Sequence, residues 1–206
     1  MNDVKVKICG VTRPEDAAAC AAAGADYLGV IFAASERRVT LEQAAAVRAA
    51  APGVTLVGVF AGHTAVEIAE AARVASLDLL QLHGGEPLPL RLAVRDRTGL
   101  PVARVVHAVT ILDADVPFSG DTLLYDLPKG RPHGEAELAD LWDAARQGVE
   151  RGRRVILAGG LNPENVAAAV AAVGPYAVDV SRGVESAPGV KDLDLVRRFL
   201  EEARRG

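Results

Sequence analysis

Cys9 closes the apolar run VKVKIC and Asp126 closes TLLYD, so each ends a segment that reads as a strand. A thiolate and a carboxylic acid set apart in this way suit a reaction in which one atom loses a proton while another gains one. To act as the base, Cys9 needs a depressed pKa, which Lys7 or the amides that follow could supply. Taken alone, a strand-end cysteine reads first as packing. Asp126 resists that reading, because a carboxylate seldom ends a buried strand without a partner. Cys20, inside AAACAAAGA, is a small buried thiol.

A second kind of chemistry is written in glycines. GGLNPENV sets Gly159 and Gly160 between a strand and a helix start, where backbone amides and the helix dipole favour an anion. DVSRGVE adds Ser181, Arg182 and Gly183, and an anion is expected where the Gly160 and Gly183 amides converge. In FAASERRVT, Arg37 has the fork geometry to clamp a carboxylate, although solvated charge is the alternative. His83, in LQLHGGE, reads as a hydrogen-bonded strand terminator. No His/Cys/Asp group has metal spacing, so no metal is expected. With 4% aromatic residues there is no stacking platform for bases.

These residues need a scaffold that gathers strand ends. Eight near-continuous apolar runs fit parallel strands buried on both faces: Val4–Cys9, Tyr27–Phe32, Thr55–Phe60, Leu79–His83, Val102–Ala108, Thr122–Asp126, Arg154–Ala158 and Ala177–Ser181. Between them run helical stretches at Pro14–Ala23, Leu41–Ala50, Thr64–Val74, Pro87–Arg97, Glu135–Glu150, Pro163–Val173 and Lys191–Arg204. Val109–Gly120 is too short and too marked by Pro and Gly for a regular helix. An α/β chain of this pattern predicts a compact (β/α)8 TIM barrel, a single domain over residues 1–206. An open doubly wound sheet competes, but the first turn, CGVTRPED, is not G-x-G-x-x-G. In a barrel, Cys9 and Asp126 stand on opposite sides of one mouth, and the two glycine turns form its usual phosphate corner.

The formal charge of −4 argues against nucleic acid as the main partner. No run approaches the roughly 20 apolar residues that span a bilayer. Charges in MNDVKVKICG stand where a signal peptide has its apolar segment. A cytoplasmic monomer or homodimer acting on a small molecule is expected, with no membrane partner.

The motifs KICG, TRPEDA, GADYLGVIF, S-x-R-x-V at Ser35–Val39, LVGVF, LQLHG and LAGGLNPENV…AVDVSRGVES-x-PG-x-KD run in order along the chain. Together they resemble the phosphoribosylanthranilate isomerase family of tryptophan biosynthesis. The resemblance implies an Amadori rearrangement of a phosphorylated aminosugar without metal or cofactor. It lifts Cys9 from packing to general base and makes Asp126 the general acid. It puts Arg37 at the anthranilate carboxylate and the phosphate on Gly159, Gly160, Ser181, Arg182 and Gly183, with Lys7 and His83 as supporting residues. Two segments depart from the family pattern. The loop after the sixth strand, LPKGRPHGEAELADLW, keeps Gly130 and Gly134 but not the Phe-x-Trp ending, and Arg182 stands where serine is usual. A paralogue acting on another amino-sugar phosphate, or a barrel that only binds one, therefore stays open at this point.

Overall fold

The computed structural model describes residues 4–107, 122–128 and 133–206. Eight parallel strands close on themselves in chain order: β1 (Lys5–Cys9), β2 (Tyr27–Ile31), β3 (Thr55–Phe60), β4 (Leu79–Leu82), β5 (Val102–His107), β6 (Thr122–Asp126), β7 (Arg154–Leu157) and β8 (Ala177–Val180). The barrel closes where β1 pairs with β8, Lys7 standing in register with Asp179. Seven helices surround it among the described residues: α1 (Pro14–Ala22), α2 (Leu41–Ala50), α3 (Ala65–Val74), α4 (Leu88–Thr98), α5 (Glu135–Glu150), α6 (Val166–Val173) and α7 (Leu193–Ala203). A 3-10 turn (Arg182–Val184) and a small antiparallel ribbon, β9 (Glu185–Ala187) with β10 (Val190–Lys191), separate β8 from α7. The expected helix-poor interval Val109–Gly120 lies outside the described residues.

Alternation along each strand builds two cores. Val6 and Ile8 face outward and pack under the helices, while Lys7 and Cys9 face the barrel interior. Inside, Leu124, Ile156, Ala158 and Ala177 form one apolar cluster, and Cys9, Ile31 and Val59 another nearer the mouth. On α7, Val196, Phe199, Leu200 and Ala203 repeat at helical spacing and are all buried. Val196, Phe199 and Leu200 each contribute roughly 1.5–3 kcal/mol on leaving water. Thr40, placed before an apolar-periodic stretch, starts α2 with a reciprocal capping box to Gln43, and Thr64, expected inside α3, caps it in the same way with Glu67.

Four helix starts differ from expectation: α3 and α4 begin one residue late, at Ala65 and Leu88, and α6 and α7 begin later still because side chains hold the backbone before them. Residues 163–165 are not in α6, because the Asn162 carboxamide accepts from the Glu164 and Asn165 amides and Asn165 returns a bond to the Asn162 amide. Side chain–backbone bonds hold a turn there in place of a helical one. Lys191 belongs to the ribbon, and Asp192 caps α7 by accepting from the Asp194 and Leu195 amides.

Candidate active site

β1 delivers Lys7 and Cys9 to the barrel interior two residues apart. Gly29, paired with Cys9 on β2, leaves room for both: a Cβ there would lie 2.8 Å from Cys9 Sγ and 3.1 Å from Lys7 Nζ. Lys7 Nζ donates to Asp179 Oδ2 at 2.9 Å, in a pair 1% and 8% exposed. Burial alone would lower the Lys7 ammonium, but Asp179 and the neighbouring sulfur outweigh it, so Lys7 stays charged. Burial pushes the Cys9 thiol up, against the downward pull of Lys7 and a weaker one from Lys191, while Asp179 adds to the rise. The depressed thiol expected from Lys7 and the adjoining amides is therefore not the net outcome. Desolvation wins.

Across the mouth, β6 ends in Asp126. Its Oδ1 accepts from the Leu127 amide at 2.8 Å, and Oδ2 lies 3.6 Å from His83 Nε2. Gln81 Nε2 lies 3.2 Å from His83 Nδ1, and Nε2 is the ring nitrogen that faces Asp126. His107 donates to the Asp126 carbonyl at 3.2 Å. His83 thus does more than end a strand; it flanks the candidate acid. Gln81 and His107 were not singled out from sequence, yet their inward register on β4 and β5 is readable from the period of two.

Arg37 reaches over Gly10, where a Cβ would sit 2.6 Å from Arg37 Cδ and 2.9 Å from Ser181 Oγ, and where φ is +72°. Only glycine meets both demands cheaply. The Arg37 guanidinium engages Glu185 by its Nε–Nη2 edge, with contacts of 2.9, 3.0 and 2.6 Å. Lys191, fully buried, donates to Glu185 at 2.7 Å, to the Cys9 carbonyl at 2.6 Å and to the Ser181 carbonyl at 3.3 Å. Burial would raise the Glu185 carboxyl, but hydrogen bonds from Arg37 and Lys191 hold it below the usual range. Sequence reasoning missed Glu185 and Lys191 as site residues. The available signal is their symmetric placement about Pro188, in ESAPGVK.

The two glycine turns meet beside this network. Gly159 and Gly160 have φ of +81° and +70°, and a Cβ on Gly183 would lie 2.1 Å from the Leu161 carbonyl, so the turns pack backbone to backbone. Asn165 Nδ2 donates to the Gly160 carbonyl at 3.0 Å, which fixes the first turn. Ser181 Oγ is buried with no hydrogen-bond partner among the described residues, while the Arg182 side chain is exposed. The two turns and the buried Ser181 hydroxyl thus meet at the corner where the sequence expects an anion. Gly160→Val should strain the left-handed turn and raise KM for a phosphorylated substrate about tenfold or more, a loss of about 1.4 kcal/mol. Titration with inorganic phosphate checks this, and equal affinity in both proteins would remove the turn from the site.

Among the described residues no trio of His, Cys, Asp and Glu could hold a metal ion, and no helix is long and apolar enough to cross a membrane. The family model described as N-(5'-phosphoribosyl)anthranilate isomerase matches residues 6–202. A relative from Trichlorobacter lovleyi, named N-(5'-phosphoribosyl)anthranilate isomerase, is 41% identical, covering 98% of each chain. The Thermotoga maritima phosphoribosyl anthranilate isomerase structure superposes with a TM-score of 0.85 at 34% identity, covering 97% of this chain and 98% of that one. A phosphoribosyl anthranilate isomerase solved in complex with reduced 1-(o-carboxyphenylamino)-1-deoxyribulose 5-phosphate has a TM-score of 0.82 at 33% identity, with the same coverage.

Proposed function

The chain belongs to the N-(5'-phosphoribosyl)anthranilate isomerase family, and we propose that Cys9 and Asp126 divide the proton transfers of its Amadori rearrangement. The reaction converts N-(5'-phosphoribosyl)anthranilate to 1-(2-carboxyphenylamino)-1-deoxyribulose 5-phosphate in tryptophan biosynthesis. Asp126, protonated, gives its proton to the furanose ring oxygen as the C1′–O bond breaks, and the anthranilate nitrogen becomes a protonated Schiff base. The Cys9 thiolate then takes the proton from C2′. The C–H electrons form the C1′=C2′ bond and neutralise the nitrogen. The resulting enolamine becomes the ketone by losing its hydroxyl proton and gaining one at C1′.

The observation that carries this reading is the placement of a buried thiol and a hydrogen-bonded carboxyl at the ends of β1 and β6, on one barrel mouth with the two glycine turns. On this reading Gly159, Gly160, Ser181 and Gly183 hold the phosphate, and Arg182 adds charge at its rim. With its Nε–Nη2 edge on Glu185, Arg37 still has an Nη1–Nη2 edge to offer the anthranilate carboxylate. A lysine has no second edge. Two free buried thiols also suit a reducing compartment, which supports a cytoplasmic protein.

The test is turnover of the purified protein on N-(5'-phosphoribosyl)anthranilate, compared with Arg37→Lys. The wild type should form the ribulose product without added metal. Arg37→Lys should raise KM roughly 10- to 100-fold, the loss of one charged bidentate contact, while inorganic phosphate binds as before. Absence of turnover by the wild type would exclude the reading, and an unchanged KM in the variant would remove Arg37 from the carboxylate site.

A further inference from the structure

A buried thiol whose burial disfavours ionisation needs a reason to become a base. We propose that Lys7 is a positioning residue for the reaction: its ammonium, fixed on Asp179, favours the thiolate form of the Cys9 sulfur at the barrel mouth and so offsets part of the cost of burial. The inference rests on Cys9 being the base. Three observations carry it. Lys7 and Cys9 sit two residues apart on β1, so the period of the strand turns both inward. Gly29 is the residue opposite, and its missing side chain lets Nζ and Sγ occupy one space. Lys7, 1% exposed, is stapled to a strand from the far end of the chain by the 2.9 Å bond to Asp179, so its charge cannot swing away into water.

The charged groups around the sulfur act in different directions. Lys7 on β1 and Lys191 on β10 favour the thiolate, while Asp179 on β8 opposes it. Arg37, reaching over Gly10, is also near enough to feel a Cys9 charge, but its own charge is largely met by Glu185. Lys191 is likewise engaged, by Glu185 and two carbonyls. Among the described residues Lys7 shares its charge between Asp179 and the sulfur, and it leads the groups that favour ionisation. When Cys9 loses its proton to solvent, Lys7 remains protonated and the pair stays buried. After Cys9 accepts the C2′ proton, the sulfur is neutral and Asp179 keeps the ammonium in place for the next cycle.

The geometry gives a signature that a purely structural ion pair lacks. Removing the two partners of one salt bridge should move the Cys9 titration in opposite directions. Cys20→Ala leaves Cys9 as the sole cysteine, and its Cβ carbon shift, followed by NMR against pH, reads thiolate formation directly. In that protein Lys7→Met should move the midpoint up by at least about one pH unit, the effect of losing a close opposite charge. Asp179→Asn should move it down, because the ammonium then serves the sulfur undivided. Lys7→Met leaves Asp179 buried without its cation and could fail to fold. The double variant Lys7→Met/Asp179→Asn is neutral at both positions and should titrate above the wild type. The alkaline rise of kcat/KM should follow each NMR midpoint. Shifts of one sign in both single variants, or a double variant at or below the wild type, would overturn the assignment. If the NMR midpoints move as expected while kcat/KM ignores them, the role of Cys9 as base fails, and the effect of Lys7 on the sulfur does not.

Discussion

Cys9→Ala should lower kcat by roughly 10²–10⁴-fold, and Asp126→Asn should do the same, the range expected when a general base or acid is removed. Neither change should weaken binding of a product analogue much. In the proposed site the phosphate is assigned to the glycine turns and Ser181 and the carboxylate to Arg37, groups separate from the two that transfer protons. Cys9→Ala removes a single buried sulfur that packs against Gly29, so its packing cost is that of one atom. The double variant should lose less than the product of the two single losses, because removing either group already stalls the sequence. Asp126→Asn keeps its size and its bond from the Leu127 amide, so a large fall in kcat there cannot be charged to a collapsed loop. Single-turnover rates on saturating substrate, beside analogue binding, measure both halves of the expectation. A variant that loses affinity and rate together would place Cys9 or Asp126 in binding, not in proton transfer.

Lys191→Met should destabilise the fold by about 3–5 kcal/mol, the cost of stripping one partner from a buried charge network. Lys191 is fully buried, and Glu185 is 3% exposed. Its loss leaves Glu185 with Arg37 and a long bond from the Gly189 amide, and takes the ammonium from the carbonyls of Cys9 and Ser181. Those carbonyls end β1 and begin the turn after β8, so the damage should reach the site as well as the fold. At roughly 2–4 °C per kcal/mol for a chain of this size, Tm should fall by about 10 °C. Arg198→Ala is the control, since its pair with Glu164 is exposed on both sides and worth at most about 1 kcal/mol. Equal shifts in the two variants would make the buried network no stronger than a surface pair.

The eight strands were legible because a strand buried on both faces has no polar alternation to confuse it, and TLVGVF and TLLYD show their bounds directly. Helix starts were less so. At Asn162–Asn165 and at Asp192, side chains claim amides that a helix would otherwise organise, and no periodicity reports that. Cys9, Asp126 and the glycine turns could be named because a functional group at a strand end, or a doubled glycine before a helix, is a local fact. The charge networks are not local. Lys7 meets Asp179 across 172 residues of chain and Arg37 meets Glu185 across 148, pairings that only barrel closure creates. For the same reason the net state of Cys9 escaped prediction: Lys7 is visible beside it in sequence, whereas the desolvation that opposes Lys7 is a property of the closed barrel.

The central claim is that Cys9 takes the proton from C2′ of the sugar. Substrate carrying deuterium at C2′ tests it without reference to product assays. The wild type should release the label into water as the ribulose forms, with a primary isotope effect wherever proton removal limits the rate. Cys9→Ala, folded and still binding inorganic phosphate, should retain the label over the same interval. Release of deuterium by Cys9→Ala at the wild-type rate would contradict the account and assign the base to another group.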